Sequence, residues 1–202
     1  MKRLLIFLAA LFVSVMSSAC INNFAIQELN TKAKEYLDKG DYDEAVKRLE
    51  SSVDLDGSIF ETRYNLAVAY INKEEFASAI NQLNQALTLN SGNADAYYTL
   101  GVALEGEASK KLLKKNVLQT SEELENDFLD KKEGEETFGT GIFANASDAL
   151  YAANKLDEAI KAYKKYLEIA NGPKDKTEVE EHINELEESK DIYLKEGAEG
   201  DI

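Results

Sequence analysis

Chemistry in this chain would have to be assembled from few parts. It holds one histidine, His182, and one cysteine, Cys20. A zinc site takes three or four histidine, cysteine or acidic ligands. No second histidine or cysteine exists to complete a set around His182, which reads as a boundary residue beside the apolar face of a last helix. Carboxylates are so abundant, 38 in all, that no pair stands out as a general acid and base. Gly139-Thr140-Gly141 is too short for a phosphate-cradling loop. Ser52-x-Asp54-x-Asp56-Gly57-x-Ile59 imitates half of a calcium loop, but Arg63 stands at the twelfth position, where a bidentate glutamate is required. Asn145-Ala146-Ser147 matches a glycosylation triplet by chance. These residues imply no cofactor, no metal and no catalytic step.

The charge narrows the partners. The formal net charge is −15 over 202 residues. Lys2 and Arg3 are the only charged residues before Cys20, so the remainder is more acidic still. Such a surface repels phosphate backbones, which argues against nucleic acid, and favours a basic partner. Much of the acidity is solvated helix surface. One proline and no tryptophan suit a mostly helical chain, and a lone cysteine rules out an internal disulfide.

The first twenty residues read as an address. Lys2 and Arg3 precede an apolar run from Leu4 to Met16, and Ser17, Ser18 and Ala19 lead into Cys20. The order of charge, apolar run and small residues is that of a secretory signal, and the run is shorter than the roughly 20 residues that span a bilayer. With Ser18 and Ala19 directly before the cysteine, the segment resembles a bacterial lipoprotein signal. Ser17 departs from that pattern, in which an aliphatic residue is usual. The resemblance implies cleavage before Cys20, acylation of its thiol, and a membrane anchor. Ordinary cleavage after Ala19, leaving a free thiol, is the alternative.

The elements that position everything else come from a phrase said three times. Gly40-Asp41-Tyr42-Asp43-Glu44-Ala45-Val46 opens an amphipathic stretch ending at Leu55. Glu74-Glu75-Phe76-Ala77-Ser78-Ala79-Ile80 opens another, thirty-four residues on, ending at Leu89. Asn154-Lys155-Leu156-Asp157-Glu158-Ala159-Ile160 opens a third, ending at Ile169. Counting within a 34-residue unit, position 8 holds Ala33, Ala67 and Gly101, and position 20 holds Ala45, Ala79 and Ala159. Tyr36, Tyr70 and Leu104 stand at position 11. On these residues the chain resembles the tetratricopeptide family. The resemblance implies an all-α, tetratricopeptide-type antiparallel helix-hairpin superhelix of three to four repeats. Small residues let paired helices approach, and neighbouring hairpins bury the faces that one hairpin cannot.

The third unit breaks the pattern. Tyr97, Leu100, Gly101 and Leu104 make a strong first helix, but the motif resumes only at Ala146, Ser147, Ala149 and Leu150. Either one repeat is interrupted between its helices or there are four repeats with an odd middle. The spacing leaves open that the first helix runs on through Leu112 and Leu113, and leads us to expect an elongated, irregular hairpin region over about 105–143 with a partly mobile acidic segment. Ser121 to Glu136 carries eight acids against two lysines. Asn171-Gly172-Pro173 stops the last repeat helix. A final helix follows from about Asp175 to Lys195. Thr177 with Glu180 suggests a capping box, and Val179, Ile183, Leu186 and Tyr193 form one apolar face. That face suits an end cap for the array, or alternatively a partner-binding helix. The expected organisation is a signal over 1–19, a tether over 20–25, repeats over 26–173, and a capping helix and tail over 174–202.

In the tetratricopeptide family the first helix of each unit lines a concave groove. The resemblance places Asn30 and Lys34 there from the first unit, Tyr64, Asn65 and Val68 from the second, and Asp95, Tyr98, Thr99, Val102 and Glu105 from the third. Some members clamp a peptide carboxylate with lysines, asparagines and an arginine. The matching residues here are Asn30, Lys34, Asn65, Asp95 and Thr99, of which only Asn65 fits, and Asp95 would repel an acidic tail. The expected role is a non-catalytic protein–protein adaptor or scaffold of the bacterial envelope, binding a partner peptide or helix in the groove. The alternative is a small-ligand-binding or transport-associated envelope lipoprotein.

Overall fold

The computed structural model describes residues 22–127 and 146–199. Among these residues all regular structure is helical. Helix α1 covers 22–38 and is followed by α2 (Tyr42–Leu55), α3 (Phe60–Asn72), α4 (Phe76–Leu89), α5 (Ala94–Asp127), α6 (Ala146–Ile169) and α7 (Lys176–Glu199). Helix is present from residue 22, within the stretch expected to be a tether. No described helix is long and apolar enough to cross a membrane. Cys20 and the signal lie outside the described residues.

The chain divides into two compact units, one ending at Ser91 and the other beginning at Gly92. In the first, α2 packs on α3 and α3 on α4. Each helix buries one stripe at helical spacing: Ala45, Leu49 and Ser52 in α2, and Ala79, Leu83 and Ala86 in α4. Ala33 and Ala67, at position 8, are fully buried. Asp41 caps α2 by accepting the Glu44 amide at 3.3 Å. The turns within the hairpins pass through a left-handed residue at the same repeat position, Gly40 (φ 74°) in one and Glu74 (φ 57°) in the other.

The second unit lengthens the same plan. At the equivalent turn position stands Ala108, a strong helix former, and it is buried inside a helix that runs on. So α5 runs on through Leu112 and Leu113, as the spacing allowed, and continues as regular helix to Asp127, where an irregular hairpin region was expected. The part of that expectation over 128–143 lies outside the described residues. α6 likewise starts at Ala146 and passes without a turn through Asn154-Lys155, where the repeat phrase would open. One long hairpin therefore accounts for the third repeat, with α5 packed on α6 along an alanine-rich seam of Ala103, Ala108, Ala149, Ala152, Ala153 and Ala159. Tyr151 donates to Glu107 at 3.0 Å, and Lys111 pairs with Asp148 at 3.5 Å, beyond the length of an ordinary repeat.

Asn171 and Gly172 take positive φ and end α6 where expected. α7 packs on α6 and buries Val179, Ile183 and Leu186. The expected Thr177–Glu180 capping box is not how α7 starts. The first turn closes on Asp175, whose carbonyl accepts the Val179 amide at 3.0 Å, which places Thr177 already inside the helix.

Candidate functional site

The sequence-derived groove residues fall in both units. In the first, Asn30 does not present a free amide. It exchanges hydrogen bonds of 2.9 and 3.3 Å with the fully buried Thr62 hydroxyl and so ties α1 to α3. Lys34 is exposed, and Asn65 and Val68 are half-buried. The half-buried Tyr64 ring stacks on Phe60 of its own helix, centroids 5.9 Å apart. The half-calcium-loop residues are spent locally. Asp56 accepts from the Ser58 amide and hydroxyl at 2.8 and 2.6 Å. Arg63 donates to the Gly57 carbonyl at 2.6 Å and to Gln82 at 2.9 Å. Among the described residues no group of three histidine, cysteine or acidic side chains could hold a metal.

In the second unit the groove residues meet a tyrosine–carboxylate seam. Asp95 is exposed, Thr99 turns its hydroxyl back to the Asp95 carbonyl at 2.8 Å, and Val102 is half-buried. Tyr98 lies edge-on to both Tyr163 and Tyr166 of α6, with centroids 5.3 Å away in each case, a favoured aromatic geometry. Tyr163, 2% exposed, donates its hydroxyl to Glu105. Tyr166 donates to Asp175, 2.8 and 3.0 Å from its two oxygens. Burial first, then Asp175, pushes the Tyr166 hydroxyl up to about 12. Tyr151, at the far end of the hairpin, is likewise pushed up to about 12 by burial and then by Glu107.

The close approach of α5 to Tyr163 is made at Gly101. A Cβ there would lie 2.5–2.7 Å from three atoms of the Tyr163 ring, which only glycine avoids. Tyr163 in turn meets the His182 imidazole at 5.5 Å. The His182 Nε2 stands 3.0 Å from each oxygen of Glu105, and its Nδ1 stands 3.6 Å from Glu185. By sequence, Glu105 belongs with the groove positions and His182 with the boundary of the apolar face. Nothing local signals that the two would meet across 77 positions of chain.

A cleft of about 370 Å³ opens beside this seam. Tyr98 borders it from α5, and Asp175, Glu178, Val179, Glu181, His182 and Glu185 border it from α7 and the residue before it. Four carboxylates around an exposed aromatic ring suit an ammonium or guanidinium group, which carboxylates bind directly and a ring face attracts.

Comparison with known proteins fits this architecture. A family model described as "TPR repeat" matches residues 69–106, and two described as "Tetratricopeptide repeat" match 30–80 and 141–173. These are tetratricopeptide repeats. No curated protein sequence matches the chain. Among solved structures, the chain is similar to the second TPR domain of human RPAP3 in complex with an HSP70 peptide. The identity is 15% and the TM-score 0.53, covering 81% of this chain and 98% of that one. It is also similar to the Arabidopsis OM64 TPR domain, at 14% identity and TM-score 0.53, with the same two coverages. The first TPR of Spaghetti (RPAP3) bound to an HSP90 peptide gives 21% identity and a TM-score of 0.52, covering 81% and 91%. At these identities the likeness is one of tetratricopeptide fold.

Proposed function

We propose that this chain is a non-catalytic adaptor of the bacterial cell envelope, holding a basic segment of a partner protein. Its leader directs export and is removed, and acyl chains on Cys20 keep the repeats at a membrane surface. More than one chain is needed for a stable hold. The observation that carries the reading is the cleft of the second unit, where a groove residue, Tyr98, faces a wall of carboxylates. Tetratricopeptide domains of similar fold bind peptides, as the RPAP3 domain does the HSP70 peptide SGPTIEEVD. That peptide ends in acids. The cleft here is itself acidic, and Asp95 and Thr99 stand where a carboxylate clamp would need cations, so the partner is of opposite sign.

Two measurements test the reading. The processed chain is titrated with labelled peptides of equal length, one rich in Lys and Arg and one rich in Glu. The basic peptide should bind more weakly as salt rises, and Tyr98→Ala and Glu181→Gln should each reduce binding. Equal binding of both peptides, or of neither, sinks the assignment. Mass spectrometry of the natural N-terminus checks acylation of Cys20, and a free thiol there removes the anchor.

The cleft volume also lies in the range of small-molecule sites, about 300–1,000 Å³. This supports the second reading, a small-ligand-binding or transport-associated lipoprotein. A cationic metabolite that raises the unfolding midpoint where basic peptides fail to bind would favour it.

A further inference from the structure

We infer that a proton on His182 latches α7 to α5, so that the α7 wall of the cleft is held firmly in acid and loosens as pH rises. α7 has two kinds of hold. On α6 it buries Val179, Ile183 and Leu186, and it pairs Glu187 with Lys164 at 2.7 Å and Lys190 with Asp157 at 3.3 Å. Lys164 holds the Glu187 carboxyl below its ordinary range, and Lys161 and Lys190 do the same for Asp157. Toward α5 it extends His182, whose Nε2 sits between the two oxygens of Glu105 at 3.0 Å each.

The groups facing His182 come from every element around it. α5 supplies Glu105, and α6 supplies the Tyr163 ring at 5.5 Å. α7 itself supplies Glu185 at 3.6 Å, with Glu178 and Glu181 on the same cleft wall, and Asp175 stands just before the helix. Every charged member of that set is a carboxylate, and charge at those distances favours the imidazolium. Partial burial is the largest single influence and opposes the charge. Glu105 and then Glu185 together outweigh it, so His182 is held above its ordinary 6.5. The Tyr163 hydroxyl, pushed well above its usual range by burial and then by Glu105, remains a donor to Glu105 throughout. The proton on His182 is therefore the part of the contact that changes.

A group whose proton affinity rises on docking adds stability fully below its undocked value and loses it as pH climbs through the docked value. α7 is accordingly tightest below about 6.5. Only the consequence for a partner rests on the adaptor reading: the basic segment would lose one wall of its cleft as pH rises. The latch can be tested with no partner present.

The chain has a single histidine, so an imidazole NMR titration of the full-length protein reports His182 alone. Its midpoint should lie above that of the same chain in urea, and Glu105→Gln should lower it. Hydrogen exchange, corrected for the intrinsic rate, should show several-fold greater protection of α7 amides at pH 5.5 than at pH 8.5. His182→Gln should flatten that difference. A native midpoint equal to or below the urea value, or α7 protection independent of pH, overturns the latch. If either variant fails to fold, the two wild-type measurements still decide.

Discussion

Position by position, Leu49 and Leu83 of the first unit correspond to Tyr163 of the second, Ala33 and Ala67 correspond to Gly101, and Ser52 and Ala86 correspond to Tyr166. The frame of small crossing residues is shared. In the first unit these positions hold buried leucine and buried alanine. In the second a larger ring takes the leucine's place, and the facing residue shrinks to glycine to admit it. The exchange gives the seam hydroxyls, and the hydroxyls recruit Glu105 and Asp175. A repeat array can thus exchange leucine against alanine for tyrosine against glycine at one seam position by a compensated size swap, and gain a polar contact there.

The largest effect should come from breaking that compensation. Gly101→Ala drives a methyl into a ring that is buried and tied by its hydroxyl, so the ring has little room to yield. Overpacking of this kind costs about 1–3 kcal/mol, more than the roughly 1 kcal/mol that alanine gains in a helix over glycine. Unfolding followed by hydrogen exchange, helix by helix, should show α5 and α6 destabilised and α2–α4 unchanged. Adding Tyr163→Leu restores the alanine–leucine pair of the first unit. The double variant should then be more stable than the two single costs predict. Strict additivity would mean that the two positions are not a compensated pair.

Much of this frame is legible in the sequence. Ala45, Ala79 and Ala159 are each fully buried, as a repeating small residue at a helix crossing requires, and Val179, Ile183 and Leu186 form the buried face of α7. What escapes is whatever depends on length or on distant partners. Gly40 and Glu74 turn the chain, whereas Ala108 at the same position lets the helix continue, and the repeat pattern alone does not weigh that difference. Asn30 looks available in the groove until Thr62, 32 residues away, takes its amide. His182 and Glu105 lie on helices brought together only once α5 and α7 are both in place. Periodicity reports which face is dry. It says little about which polar groups find each other across a packed interface.

A smaller effect separates the two kinds of tyrosine. Tyr70 in the first unit also donates to a carboxylate, Glu50, at 2.5 Å, with no histidine in the contact. Tyr70→Phe should cost about 1.5 kcal/mol, as for a hydrogen bond to a charged group, and by the same amount at pH 5.5 and pH 8.5. Tyr163→Phe removes a donor from Glu105 and leaves His182 as its partner, so its cost should vary with pH across the His182 titration. Matching pH profiles for the two variants would erase the distinction between the units.

The smallest change should be a gain. Ser52 occupies the position that Ala86 fills in the next repeat, and its Oγ is buried with no hydrogen-bond partner. The hydroxyl was desolvated on folding and recovered no bond. Ser52→Ala keeps the size of the crossing residue and removes that penalty. Stability should rise by about 1 kcal/mol, read as a higher denaturant midpoint at unchanged slope. The reverse change, Ala86→Ser, puts the same unpaired hydroxyl into the neighbouring repeat and should cost a similar amount. If Ser52→Ala destabilises instead, the hydroxyl has a partner, and the two repeats of the first unit are not equivalent at their shared crossing.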